Sequence, residues 1–196
     1  MKKHAGRRLF ITGIPTSGKS YLAKRLASDV GGIVVQLDHH RDAIRDDERY
    51  KRWIQFYWNL DEKKYYDETS PTDQWNNLVA QSEALWPAFL EKIDSYSEEP
   101  RPVIFECVNM LPHIVKKDIT FPGIVLVGHS YETILERNIA DPRWGNTREL
   151  QEMEAHSFFN VERPNYMREA HEFGYETFET ADEAYEKAKS TLLGLH

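Results

Sequence analysis

The sequence predicts an α/β fold in which a mostly parallel sheet is covered by helices on both faces. Two observations carry this reading. Five short apolar segments alternate with helical patterns along the chain, and strands that are apolar throughout belong to a sheet buried on both sides. The first strand–helix junction holds Gly13-Ile14-Pro15-Thr16-Ser17-Gly18-Lys19-Ser20, a complete G-x-x-x-x-G-K-S loop in the setting that gives this motif meaning.

The elements follow in order. Arg8-Leu9-Phe10-Ile11-Thr12 reads as a buried strand and Tyr21-Leu22-Ala23-Lys24-Arg25-Leu26-Ala27 as a helix. Between them, glycines let successive backbone N–H groups turn toward one centre, where an anionic phosphate sits at the positive end of the helix. Lys19 places a point charge on the terminal phosphates, and the Ser20 hydroxyl completes a Mg²⁺ shell. Gly13, Thr16, Ser17, Gly18, Lys19, Ser20 and Tyr21 are thus the expected binding residues for a nucleoside triphosphate. Ile33-Val34-Val35-Gln36-Leu37 is the second strand and Val103-Ile104-Phe105 the third. The intervening residues 38–102 exceed a simple crossover and read as a helical insertion over about 41–97. Trp53, Phe56, Tyr57 and Leu60 fall at i, i+3, i+4 and i+7. Trp75, Leu78, Val79, Ser82, Trp86, Phe89, Leu90 and Ile93 trace one face of a long helix, with Ser70 as its cap and Pro71 in its first turn. Most of these aromatics are expected to pack the helices together, in a lobe placed over the site. Ile124-Val125-Leu126-Val127 and Tyr175-Glu176-Thr177-Phe178 complete the strands, separated by a helix capped by Ser130 and a second marked by Leu150, Met153, Ser157 and Val161, which Pro164 is expected to break or kink. Thr180-Ala181-Asp182-Glu183 has capping-box spacing and announces a closing helix.

A chain of 196 residues suits one domain, 1–196, with a sizeable core. The net charge of −7 argues against a nucleic-acid surface. No segment approaches the ~18 continuous apolar residues of a membrane span, and the apolar run after the basic start is too short for a signal peptide. The single cysteine, Cys107, excludes an internal disulfide and a cysteine zinc cage, and reads as a small packing residue. These features predict a cytoplasmic protein with no membrane partner; monomer and homodimer both stay open.

The branch of nucleotide-binding proteins follows from what accompanies the loop. No D-x-x-G follows the third strand, and Val115-Lys116-Lys117-Asp118 lacks the first residue of a guanine-reading motif. Instead the third strand runs into Glu106-Cys107-Val108-Asn109-Met110-Leu111-Pro112, and Asp38-His39-His40-Arg41 follows the second. With the loop and the strand–helix rhythm, this chain resembles the adenylate-kinase-like and shikimate-kinase-like P-loop kinases over nearly its whole length. The resemblance implies a five-stranded sheet of order 2-3-1-4-5, an acceptor bound beside the second strand, and an arginine-bearing lid closing over ATP. It implies Asp38 as the general base that orients the acceptor hydroxyl and Arg41 as an anchor for an acceptor anion. Glu106 stands where the strand-end acid supports Mg²⁺ or water, with Glu in place of the usual Asp. The 106–112 stretch is similar to the E-G-x-x-L-x-P segment of some metabolite kinases, with Cys107 in place of its glycine. The lid, about 138–148, carries Arg143 with Arg137 at its start, and Arg148 is a third candidate. Thr180 and Ala181 fall where the family places adenine.

Some residues read more plainly. Asp38 has an alternative role as a helix cap, and His39 and His40 read as exposed loop histidines. Arg41, Arg45, Arg49 and Arg52 fall on one helical stripe, yet Asp42, Asp46 and Glu48 interleave with them as on a solvated helix. The expected activity is transfer of the γ-phosphoryl group of ATP, with Mg²⁺, to a small-molecule acceptor. A nucleoside monophosphate kinase is an alternative, and an ATP-binding switch protein with no acceptor is the alternative of another class.

Overall fold

The computed structural model describes residues 7–195. Five parallel strands, β1 (Arg8–Gly13), β2 (Ile33–Gln36), β3 (Val103–Glu106), β4 (Gly123–Leu126) and β5 (Glu176–Phe178), form one sheet of order β2-β3-β1-β4-β5. This is the expected order. Along β1, Leu9 and Ile11 pack with Leu22, Leu26, Ala184 and Ala188, the inner faces of α1 (Lys19–Val30) and α10 (Ala181–Leu193). Phe10 points the other way, into a larger cluster that includes Leu85, Phe89, Phe105, Val115 and Tyr166. Period-2 alternation thus buries both faces, which is why β1 is apolar at nearly every position. The polar exceptions are the buried Thr12 and Arg8, the latter 3% exposed, whose guanidinium donates to the carbonyls of Arg7, Tyr96, Glu99 and Arg101. The partners are backbone oxygens, three of them in the turns before β3, so the buried guanidinium is satisfied without a carboxylate.

The insertion between β2 and β3 is α2 (Leu37–Ala43), α3 (Lys51–Ile54), α4 (Glu62–Glu68) and α5 (Pro71–Asp94). In α5 the Ser70 hydroxyl accepts from the Asp73 N–H, Pro71 sits in the first turn, and Trp75, Leu78, Ser82, Trp86, Phe89 and Ile93 are buried as their spacing predicts. The stretch from Trp53 to Leu60 differs from its expected helix. Regular helix stops at Ile54, turns follow, and Asp61 caps a new helix by accepting from the Lys64 N–H. Here the aromatic periodicity reflects ring packing rather than a helical face, with Trp53 on Phe56 and Phe56 on Tyr57. The arginine stripe is also not helical, because α2 ends at Ala43. Arg45 and Arg49 pair with Asp46 and Asp47 at the surface.

After β3 come α6 (Pro112–Asp118), then α7 (Tyr131–Ala140), α8 (Arg148–His156) and α9 (Arg163–Phe173). At Pro164 the helical chain continues, with the proline in the first turn of α9. The helix passes from α8 to α9 through a π-helical turn, Ser157–Glu162, whose wider winding accommodates the missing proline N–H. The capping box at Thr180 and Glu183 is present in both directions. Among the described residues no helix is long and apolar enough to cross a membrane.

Candidate active site

The carboxyl ends of β1, β2 and β3 open on one cavity of about 1070 Å³, where ligands gather in open α/β sheets. Its floor is the loop between β1 and α1. Gly13 has φ 126°, and a Cβ there would lie 1.9 Å from the Leu126 carbonyl oxygen, so only glycine fits. Gly18 has φ 101° and Thr16 φ 58°, so the chain reverses hand twice within the loop. Thr16 is an uncommon non-glycine in this region, and its buried hydroxyl has no partner.

Lys19 is 5% exposed, and its Nζ donates to the Ile14 carbonyl at 2.7 Å. Burial pulls its pKa below the usual ammonium value, against the raising pull of Glu106 and Asp38. The Ser20 hydroxyl donates to Oε2 of Glu106 at 3.1 Å, and Gln36 Nε2 donates to the same oxygen at 3.3 Å. Glu106 is 3% exposed. A buried carboxylate at a strand end is costly without partners or a cation. These two donors come from the end of the phosphate loop, at the start of α1, and from β2, and they meet on one oxygen at the end of β3.

Asp38 lines the cavity from the first turn of α2. Gln36, and not Asp38, holds the capping position, without a side-chain cap bond. Asp38 Oδ1 accepts from Arg41 at 3.1 Å and from the Cys107 thiol at 3.4 Å. Burial, followed by the charge of Asp38, holds the Cys107 thiol well above its usual pKa, so it stays protonated and packs. Arg41 also bonds Asp42 at 3.1 Å, and therefore lies between two carboxylates. His39 lines the cavity, whereas His40 turns toward the Ala88 backbone.

Arg137 lies on α7 rather than in the loop beyond it, and its Nη1 donates to the Thr16 carbonyl at 2.9 Å. Arg143 lines the cavity from the loop of residues 141–147 and pairs with Asp141 at 3.4 Å. Arg148 is engaged elsewhere, with Glu152 at 2.6 Å. Tyr21 lines the cavity, 59% exposed, as do Thr180 and Ala181, the latter near Gly18 and Arg137.

Sequence reasoning missed three acids. Glu154 is fully buried on α8; one oxygen accepts from the N–H groups of Trp144 and Gly145, the other from Asn138. It ties the 141–147 loop to α7. Glu62 on α4 lies against Gly145 and Glu154, and its pKa is pushed up to about 8, by burial first and by its bond to Glu154 second. Glu162, the last residue of the π turn, lines the cavity. Burial raises its pKa to about 7, while Lys19 pulls the other way. A signal for Glu154 was available: Gln151, Glu154 and Ser157 put polar residues on the same face as Phe158 and Val161. Nothing local announced Glu162.

Solved structures share this architecture. A shikimate kinase from Acinetobacter baumannii in complex with shikimate is 15% identical, with 96% of this chain and 94% of that chain covered at a TM-score of 0.54. A deoxyadenosine kinase from M. mycoides with bound dATP is 13% identical, with coverage of 96% and 97% and a TM-score of 0.51. This chain has the P-loop kinase fold. No protein-family model matches it, and no curated protein does.

Proposed function

We propose that this protein transfers the γ-phosphoryl group of ATP to a hydroxyl of a small-molecule acceptor. The observation that carries this reading is the convergence of Lys19, Ser20, Glu106 and Asp38 on one cavity, with space beyond Asp38 for a second substrate. Phosphoryl transfer asks for positioning and charge neutralisation more than for covalent chemistry, and these residues supply both. The loop's backbone N–H groups and the orphaned Thr16 hydroxyl hold phosphate oxygens. Lys19 and Arg137, the latter fixed against the loop itself, meet the charge that develops on the transferred group. Arg143 reaches the cavity from a seven-residue loop (141–147), which acts as the lid. Asp38 takes the proton of the acceptor hydroxyl as its oxygen bonds to phosphorus and the bridging oxygen leaves with ADP.

Ser20 and Glu106 fit a Mg²⁺ ion: a hydroxyl and a buried carboxylate, both hard oxygen donors, already in contact. Bound there, the ion would neutralise phosphate charge. A site with few protein ligands suits Mg²⁺, which keeps several waters and takes the rest of its shell from phosphates.

The test is Lys19→Ala. Acceptor-dependent ADP formation should fall by roughly three orders of magnitude or more while the variant stays folded; turnover near that of the native protein would sink the proposal. Asp38→Asn separates a kinase from a nucleotide switch: a kinase loses transfer while retaining ATP binding, and in a switch the change matters to neither.

A further inference from the structure

The acceptor end of the cavity has a chemistry of its own. Tyr57, Tyr65, Tyr66 and Trp144 pack ring to ring, with centroids 5.2 to 5.9 Å apart, and all four line the cavity, with Trp58 exposed at its edge. This wall is built by two separate segments, the turns and helix of the insertion and the 141–147 loop. Beside it sits Glu162, whose Oε2 is buried and accepts no hydrogen bond. It lines the same cavity as Lys19 and the four rings, and its charge is coupled to Lys19 and to Tyr57, Tyr65 and Tyr66.

The positive charges are placed differently. Lys19 and Arg137 are bonded to the phosphate loop. Arg41, the cationic side chain beside Asp38, is held by two carboxylates at 3.1 Å each. That end of the cavity has surplus negative charge and aromatic faces, and no free cation among its described lining residues beyond the phosphate-side groups and Arg143.

We propose that the phosphoryl acceptor is a hydroxyl compound carrying an ammonium or guanidinium group, seated against the Tyr57–Tyr65–Tyr66–Trp144 wall with Glu162 as its counter-charge. This rests on the kinase reading and narrows it. A cation against aromatic faces gains from the ring quadrupoles, and a buried carboxylate without a partner gains most from an opposite charge. A carboxylate- or phosphate-bearing acceptor would meet Glu162 and an already neutralised Arg41, leaving Arg143, itself paired with Asp141, as the one cation of the wall's own segments among the described lining residues to offset the repulsion.

The experiment uses the full chain with Mg²⁺ and ATP, measuring ADP release with three probe sets: amino alcohols and aminosugars, neutral sugars and deoxynucleosides, and hydroxy acids and nucleoside monophosphates. In parallel, calorimetry measures binding of the same compounds with Mg²⁺ and a non-hydrolysable ATP analogue. Stimulation confined to the cationic set, with Glu162→Gln raising KM for that acceptor about tenfold or more and ATP affinity falling less, is the expected result. Turnover with a neutral or anionic acceptor, unchanged by Glu162→Gln, overturns the cationic assignment and leaves the kinase standing. Binding of a cationic probe, weakened by Glu162→Gln but without turnover on any set, keeps the site and overturns the kinase. Absence of cation binding overturns the proposal outright.

Discussion

The two ends of the cavity are built on opposite principles. At the phosphate end nearly every polar group has a partner before any ligand arrives: Lys19 on Ile14, Ser17 on Ile14, Ser20 and Gln36 on Glu106, Arg137 on Thr16. At the other end the cavity is lined by an aromatic wall and by Glu162, which keeps a buried oxygen without a partner, while Glu62, outside the lining, crowds Glu154. The first arrangement is preorganised and stable. The second stores unfavourable electrostatics that a ligand can relieve, as expected where function and stability compete.

Substitutions can break or sharpen that contrast. Glu106→Gln should have a larger effect than Glu62→Gln, because it removes the charge to which both Ser20 and Gln36 donate. Turnover is expected to fall by about two to three orders of magnitude, with an altered Mg²⁺ requirement and little change in melting temperature. A normal Mg²⁺ titration would mean that Glu106 is only structural.

The smaller effect lies at the other end. Glu62 has a folded-state pKa of about 8, raised above the ordinary carboxyl value of 4.5. A carboxyl with a raised pKa binds its proton more tightly in the folded state, so its stabilising contribution is full below the unfolded pKa and is lost as pH rises toward 8. The native protein should therefore lose a few degrees of melting temperature between about pH 5 and pH 8 on this account. Glu62→Gln should flatten the profile and match or exceed the native protein at pH 8. An identical slope in the variant would remove Glu62 as the cause.

The difference between the two ends also explains what the sequence could reveal. The phosphate end is local: eight consecutive residues, flanked by a strand and a helix, announce the loop, and Glu106 and Asp38 stand at the ends of strands that are themselves legible as apolar runs. Sheet order came through family resemblance, since parallel pairing leaves no local trace. The acceptor end is not local. Tyr57, Tyr65 and Trp144 meet only after folding, from positions that look like ordinary helix-packing aromatics. The regular spacing of Trp53 to Leu60 misled, because rings at helical intervals also pack across turns. Glu162 was hidden for a related reason: it ends a π turn, and wider winding shifts the face on which a residue emerges relative to the 3.6-residue period.

That turn has an evolutionary consequence. A π-helical turn carries one residue more than the α-helix it interrupts, so a single-codon deletion within residues 157–162 can restore an uninterrupted helix while α8 and α9 keep their inward faces. Tyr166, whose hydroxyl donates to the Val108 carbonyl, would stay in the core, and the lining that the turn supplies, Ser157, Phe158 and Glu162, would be rearranged. Such a deletion should preserve the melting transition and abolish or redirect acceptor choice. The shape of the cavity is then separable from stability by one genetic event, and a lineage can change what the cavity admits without passing through an unfolded ancestor.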